Sequence, residues 1–421
     1  MVEAPTADRM KWANALSTRS SLEAAIEEVV ERAQESLGVA ANFGILFISA
    51  AFASEYSRLM PLLKERLSVP TLIGCSGGGI IGVDSEGEAQ EVEVEPALSL
   101  SLAYLPEVNV HAFHVTAEEL PDLDSSPDAW VKLIGVSPEE QPHFILLADP
   151  MSLKINDLLQ GLDFAYPGSI KVGGLASANA VGGNDGLFYN YQLQREGIVG
   201  VALSGKIVVE TIVAQGCRPI GPTYRVTEGE RNILLGLEAQ TDLEMGASNG
   251  QGRTPLTVLQ ELIQDMSEED RSLAQHSLFV GIARNPFKQT LEHGDFLIRQ
   301  VLGVDPRVGA IAIGDRVRPG QRIQFHLRDA EASAADLRTL LERYCEQSST
   351  GTSSEAALMF SCLGRGEGLY GEPNFDSHLF NRYLGNLPLS GFFCNGEIGP
   401  IGDSTFLHGY TSVFGILRQG E

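Results

Sequence analysis

Three strand-to-turn junctions hold the residues best able to do chemistry. Gly74-Cys75-Ser76 runs into Gly77-Gly78-Gly79, Ser361-Cys362 precedes Arg365, and Cys394-Asn395-Gly396 precedes Glu397. Small residues at such junctions let backbone N–H groups approach a ligand, and successive N–H groups form anion-binding nests. Arg365 can grip a carboxylate with both arms of its guanidinium. Glu397 can hold an ammonium. A site with both suits an amino acid or similar small zwitterion. The competing account is plainer: the glycines allow tight turns with positive φ, and Arg365 and Glu397 pair with each other or face water.

The same junctions admit a catalytic reading. A thiol at a strand end, close to backbone N–H groups, can have a lowered pKa and act as a nucleophile. Cys362 and Cys394 are the candidates, with His408 or His378 as base. No local signature of a cysteine hydrolase accompanies them, and buried cysteine is a common small core residue. The chain has no His-Glu-x-x-His, no P-loop and no Gly-x-Ser-x-Gly elbow, and its histidines lack metal-ligand spacing. Gly77, Gly79 and Gly82, and again Gly366, Gly368 and Gly371, match Gly-x-Gly-x-x-Gly. Neither run opens a helix where a dinucleotide pyrophosphate needs one. We therefore expect ligand binding more than catalysis, with no cofactor and no metal.

These junctions need positioning elements. Asn42 to Ser49 is a continuous apolar run, the pattern of a strand buried on both faces. A helical stretch from Ser54 to Leu67, interrupted or restarted at Pro61, leads to Pro70, a second apolar strand and the first glycine turn. The order recurs. His143 to Ala148 is a strand, Ile155 to Leu162 a helix, and Ile170 to Ser177 a strand and turn. Ala356 to Cys362, Phe375 to Leu384 and Leu389 to Gly396 form a third copy. A βαβ crossover is the simplest geometry for each. Whether the turns share one cavity is left to the tertiary structure.

Elsewhere, the first 20 residues read as a loose arm. Ser20 and Glu23 form a capping-box pattern for an amphipathic helix that Gly38 ends. Glu91 to Glu95 alternates with valine, so it predicts a strand with one wet face. Ala97 to Tyr104, His111 to Val115, Ile198 to Leu203, Ile207 to Val213, Ala310 to Ile313 and Arg322 to Leu327 also predict strands. Ser204-Gly205-Lys206 and Arg318-Pro319-Gly320-Gln321 are hairpin signals. Leu256 to Met266 and Ala335 to Tyr344 are predicted helices. The fold class is mixed α+β, with partly antiparallel sheets flanked by helices. Pro219, Gly221 and Pro222 mark the best boundary. It gives an arm over 1–20, a module over 21–217 and a second over 218–421.

The chain's 421 residues carry a net charge of −25. Such a surface repels phosphate backbones and anionic lipid, so no nucleic acid is expected as partner. The densest basic stretch, Asp315 to Arg322, reads as a solvated strand edge. No segment reaches membrane-spanning length, and Met1 to Ser20 is not a secretory signal. The five cysteines, Cys75, Cys217, Cys345, Cys362 and Cys394, are odd in number and scattered. They suit a reducing, cytoplasmic setting rather than a disulfide framework.

The last stretches carry a resemblance. Met359-Phe360-Ser361-Cys362-Leu363-Gly364-Arg365-Gly366, Gly391-Phe392-Phe393-Cys394-Asn395-Gly396-Glu397-Ile398-Gly399-Pro400 and Phe406 to Thr411 are similar to the C-terminal module of the FIST family. Gly303-Val304-Asp305 to Asp329 resembles the same module. Ile73-Gly74-Cys75-Ser76 with Gly79-Ile80-Ile81-Gly82 resembles the Gly-Cys-Ser element of its N-terminal module. The resemblance runs from about residue 21 to 417. It implies a small-ligand sensor, with amino acids as the proposed class and a protein partner relaying the signal. It supplies no catalytic residues. The chain is expected to depart from the larger members, in which F-box or output domains accompany such modules, as a stand-alone form. A cysteine-dependent enzyme and a protein–protein adaptor are the alternatives.

Overall fold

The computed structural model describes residues 9–151, 154–178, 185–240, 252–285, 288, 290, 291, 294–348 and 354–420. Its elements repeat in a fixed order. The first pass is β1 (Lys11–Ser17), α1 (Leu22–Leu37), β2 (Phe43–Ser49), α2 (Tyr56–Arg66) and β3 (Thr71–Gly77). It continues with the short pair β4 (Ile80–Val83) and β5 (Ala89–Val92), then β6 (Leu98–Tyr104). The second pass is β7 (Val108–Val115), α3 (Pro127–Ile134), β8 (His143–Ala148), α4 (Ile155–Ala165) and β9 (Lys171–Leu175). It ends with β10 (Leu187–Tyr189), β11 (Gln192–Gln194) and β12 (Ile198–Gly205). The third pass begins at β13 (Ile207–Ala214).

The chain then leaves this body. Residues Gln215–Leu337 form a separate compact unit, and Met1–Ala214 with Arg338–Glu421 form the other. The smaller unit holds β14 (Cys217–Glu230), β15 (Ile233–Ala239), α5 (Pro255–Gln264) and α6 (Glu268–Ala274). It also holds β16 (Leu278–Ala283), β17 (Phe296–Asp305), β18 (Ala310–Ile313) and β19 (Arg322–Arg328). These strands close a barrel in the order β14-β15-β18-β17-β16-β19. Val280, Ile311, Ile313, Phe325 and Leu327 fill its core.

Helix α7 (Ala330–Ser348) resumes the third pass. There follow β20 (Ala356–Cys362), α8 (Glu367–Tyr370), α9 (Phe375–Leu384) and β21 (Leu389–Cys394). Then come β22 (Glu397–Ile401), β23 (Ser404–His408) and β24 (Ser412–Gln419).

The larger unit has three six-stranded sheets, ordered β1-β6-β2-β3-β10-β11, β7-β12-β8-β9-β22-β23 and β13-β24-β20-β21-β4-β5. Each holds one parallel pair at its centre: β2 with β3, β8 with β9, β20 with β21. Each is completed by a hairpin from another pass. After β3 the chain adds β4–β5 to the third sheet, after β9 it adds β10–β11 to the first, and after β21 it adds β22–β23 to the second. The exchange is cyclic, so no pass can complete its own sheet.

Alternation along a strand explains the apolar runs. Phe43, Ile45 and Phe47 of β2 face a central core shared by all three sheets, with Ile145, Leu147, Phe360, Phe392 and Val413. Leu46 and Ile48 face outward onto α1 and α2. Both faces of the central strands are covered, so the runs show no polar alternation. Phe47 stacks on Phe392 at 5.1 Å and meets Phe360 edge-on at 6.5 Å, which joins the first and third sheets.

Several expectations are corrected. Residues 11–17 of the supposed arm form β1, paired in antiparallel register with β6 and buried from Trp12 to Ser17. Residues 1–8 of that arm lie outside the described residues. The cap of α1 is Ser21, whose hydroxyl accepts from Ala24 N at 3.4 Å, and Gly38 ends the helix at φ 66° as expected. Helix α2 runs through Pro61 without a break, after a 3-10 turn over Ala50–Glu55. Neither hairpin signal makes a hairpin. Ser204 to Lys206 is the step from β12 in one sheet to β13 in another. Arg318 to Gln321 links β18 to β19, which do not pair with each other. In a closed barrel the basic stretch has no strand edge to occupy. Arg316 and Arg318 are exposed there and Val317 is buried.

The Glu/Val strand ends at Val92, and its glutamate faces inward: Glu91 is 5% exposed. Alternation located the two faces and mistook which was wet. The boundary near residue 217 falls where the chain enters the barrel. The larger unit also takes back residues from Arg338 onward.

Candidate functional site: three interlaced corners

The cyclic exchange forces the chain to turn sharply at the carboxyl end of each parallel pair. The sequence prepares this with one glycine at an equivalent place in each second strand. Gly74 stands in register with Leu46, Gly173 with Leu146 and Gly391 with Met359. A Cβ at these glycines would lie 2.2, 1.8 and 1.7 Å from the carbonyl oxygens of Leu46, Leu146 and Met359. No side chain is compatible with that approach.

Beyond those glycines the corners bind one another in a ring. Ser177 N donates to Ser76 O at 3.3 Å, and Asn395 N donates to Leu175 O at 3.1 Å. The third link is longer and is spanned by a side chain: Gly78 N donates to Ser177 Oγ at 2.9 Å, and that hydroxyl donates to Phe393 O. Further bonds run from Phe393 N to Gly79 O at 2.9 Å and from Leu175 N to Gly396 O at 2.8 Å. Gly78, Ser177 and Asn395 occupy corresponding places in the three corners. Gly78 is half-buried and Asn395 exposed.

The ring gathers the junctions at Cys75-Ser76 and Cys394-Asn395 in one place. Ser361 and Cys362 end β20 in register with Phe393 and Cys394. Ser177 is the member that sequence reasoning missed. It lies in a quoted run, but no charge or motif marked it, because its function depends on a neighbour 216 residues away.

Arg365 and Glu397 do not form a zwitterion clamp. Arg365 does grip a carboxylate with both arms, but that carboxylate is the protein's own. Its Nε lies 2.7 Å from Asp376 Oδ2 and its Nη2 3.0 Å from Asp376 Oδ1. Tyr370 joins them, accepting from Nη2 at 2.6 Å and donating to Asp376 Oδ1 at 2.8 Å. Both side chains of the ion pair are fully buried. Glu397 is buried as well and accepts from Thr411 N at 3.1 Å. Nor do the two pair with each other, as the plainer account allowed. Asp376 carried no sequence signal, since a first-turn aspartate ordinarily serves its helix.

Two of the three corner thiols are sealed. Cys75 and Cys394 are 0% exposed. Burial pushes both well above the usual thiol range; Asp185 adds to the effect at Cys75, and Glu397, Cys75 and Cys362 add to it at Cys394. A Cβ on Gly174 would come within 2.3 Å of Cys394 Sγ, so that thiol is packed against backbone. His408 sits on β23 opposite Glu397, with Nε2 3.1 Å from Gly399 O, and His378 is exposed on α9. These surroundings suit protected core thiols better than nucleophiles. Iodoacetamide on the native protein should label only Cys345 and Cys362, the half-buried pair, within minutes. Modification of Cys394 at the same rate, read by peptide mass spectrometry, would show that this thiol is not sealed.

Among the described residues no cluster of His, Cys, Asp or Glu is placed to hold a metal ion, and no helix is long and apolar enough to cross a membrane. A surface cleft of about 450 Å³ lies at the opposite, amino-terminal ends of β2 and β3, lined by Val39, Leu67 and Val69 among others.

Fold and corners together define a mixed α+β module of three sheet-exchanging repeats, joined in sequence to a barrel unit. The family description "FIST N domain" matches residues 42–240, and "FIST C domain" matches residues 255–400. The chain belongs to the FIST family, whose domains are generally sensory, signal-transduction modules. The junction between the two matches falls inside the barrel unit, so it does not follow the compact units. "Uncharacterized protein Mb0898c" of Mycobacterium bovis is 32% identical over 401 residues, covering 95% of this chain and 97% of that protein. "Uncharacterized protein Rv0628c" of Mycobacterium tuberculosis is 32% identical over 403 residues, covering 96% and 98%. A plant protein, "F-box/LRR-repeat protein At5g63520" of Arabidopsis thaliana, is 24% identical over 303 residues, 62% of this chain and 54% of its own. Among solved structures, a cyanuric acid hydrolase from A. caulinodans aligns over 98% of this chain and 100% of its own, with 8% identity and a TM-score of 0.36, too slight a likeness to carry an argument.

Proposed function

We propose that this protein senses a small polar molecule, an amino acid or a compound of similar size, at the ring of corners. The observation that carries the reading is the meeting of three distant turns through their backbones, at the carboxyl ends of three parallel strand pairs. Ligands of open α/β sheets gather at such ends. Arg365 and Glu397 are committed internally and Ser177 and Gly78 hold the ring together, so recognition falls to Asn395, Cys362 and the adjoining backbone. Gly74, Cys75, Ser76, Ser361 and Cys394 hold that surface from beneath. Binding shifts a population of conformers that a protein partner reads.

The test is thermal unfolding of the whole chain against a panel of amino acids and organic acids. A ligand at 100 times its Kd adds about 2.7 kcal/mol. We expect one chemical class to raise the midpoint and Asn395→Ala to reduce that rise at least tenfold in apparent affinity. A flat panel would remove the ligand claim. A rise that Asn395→Ala leaves unchanged would move the site elsewhere, the cleft at Val39 and Val69 being the next place to probe.

A further inference from the structure

Each hairpin that crosses to a neighbouring sheet is clasped there by a helix of the pass that owns the sheet. In two clasps the polar contacts are ordinary. Tyr191, in the turn between β10 and β11, donates to Leu67 O at 3.0 Å and accepts from Val69 N at 2.9 Å, beside α2. Asp163 of α4 accepts from Thr405 N and Oγ1 of β23 at 2.7 and 2.8 Å and from Lys171 Nζ at 2.9 Å.

The clasp of β4–β5 against α9 is built differently. Its carboxylate comes from the strand and caps the helix from outside. Glu91 Oε1 accepts from Ser377 N at 2.7 Å, in the first turn of α9, and Glu91 N donates to Asn374 Oδ1 at 2.6 Å. Glu91 Oε2 is buried and has no hydrogen-bond partner among the described residues. The groups that face it set up a conflict. From the α8–α9 segment come Asp376, Tyr370 and the Arg365 guanidinium, which is already committed to Asp376. From its own strand side comes Glu93, whose Oε1 accepts from Glu367 N at 2.8 Å. From β4 the register partner is Ile81, which has no charge to offer. Two buried carboxyls therefore repel each other, and the guanidinium is bonded to Asp376.

We propose that this clasp is a proton-operated latch, with protonated Glu91 closing β5 onto α9 and ionised Glu91 loosening it. Burial, then repulsion from Asp376, pushes the Glu91 carboxyl up to about 7, while bonds from Ser377 oppose the shift. The folded form thus binds this proton more tightly than the open one, whose carboxyl titrates at the ordinary 4.5. Clasp stability is full below about pH 4.5 and falls as pH rises to about 7, beyond which the loss is complete. The latch adjoins the ring at both ends, since β4 follows Gly79 and Arg365 follows Cys362. It stands whether or not a ligand binds the ring.

Hydrogen exchange read by mass spectrometry on the full chain tests it. Rates for peptides spanning β5 and α9, corrected for intrinsic exchange, should show an opening constant roughly tenfold larger at pH 8 than at pH 6. Peptides of α2 and β11 serve as the internal reference and should not change. In Glu91→Gln, whose amide oxygen can still accept from Ser377 N, the slope should vanish. No slope in the wild-type clasp, or the same slope in Glu91→Gln, overturns the latch. If Glu91→Gln fails to fold, the wild-type comparison between clasps still decides.

Discussion

Arg365→Met will cost the larger unit about 3–5 kcal/mol at pH 7.5, the range for breaking a buried ion pair from one side. The methionine fills much of the space, so the loss is electrostatic. Asp376 is then a buried carboxyl without its cation, next to the buried Glu91, and Tyr370 loses the donor that orders it. Removing the cation leaves Asp376 as an uncompensated buried carboxylate beside Glu91, whose own carboxyl is pushed up to about 7 by burial and by repulsion from Asp376. The deficit is therefore larger at pH 7.5, where Glu91 is mostly ionised, than at pH 5, where it holds its proton. Urea titrations at pH 5, 6 and 7.5 measure it. Arg365→Lys should recover only part of the loss, because an ammonium cannot bond both Asp376 oxygens and Tyr370 in a fixed plane. A penalty below about 1 kcal/mol at pH 7.5 would mean that the ion pair does not hold the α8–α9 segment.

Gly391→Ala should be harsher, with a loss of about 4 kcal/mol or more, a size reached only through a named structural conflict. Its Cβ would sit 1.7 Å from Met359 O, and backbone at the centre of a six-stranded sheet cannot withdraw as a side-chain tip can. The pair β20–β21 must part, and the corner after β21 moves with it. Gly74→Ala and Gly173→Ala repeat the experiment in the other two pairs. Gly368→Ala is the control: it meets nothing within 4 Å and lies inside helix α8, so it should be neutral or stabilising by up to about 1 kcal/mol. Soluble, folded Gly391→Ala with an unchanged unfolding midpoint would contradict the equivalence of the three glycines.

These two outcomes differ in how far the sequence foretold them. The strand, helix, strand and glycine turn of each βαβ unit is visible in the chain, because a doubly covered strand is a bare apolar run and a tight corner demands glycine. Gly74, Gly173 and Gly391 all fall inside those runs. What lay between the units was misjudged. The hairpin signals lie at Ser204 to Lys206 and Arg318 to Gln321, whereas residues 80–92 and 397–408 form hairpins that each complete a sheet begun elsewhere in the chain. Nothing local distinguishes a hairpin that stays from one that crosses.

Charges were legible as types and illegible as partners. Arg365 was expected to grip a carboxylate, and it does, but Asp376 is only 11 residues away and within the same fold. Glu91 alternates with valine as an exposed strand residue does, yet α9 covers the face that solvent would otherwise take. Ser177 bridges two corners with one hydroxyl, a role that exists only once three turns have been brought together.

The sequence by itself determined the fold class, the threefold recurrence and the family, since all three are carried by periodicity, glycine placement and local motif. Tertiary structure alone decided that the repeats trade hairpins in a cycle, that the corners lock into a ring, and that the conspicuous cation is spent on an internal anion. The reason is common to all of them. Local pattern records which face of an element avoids water, whereas the identity of the partner on that face is set by tertiary packing, whether it lies 11 residues away, as Asp376 does from Arg365, or 216 away, as Phe393 does from Ser177.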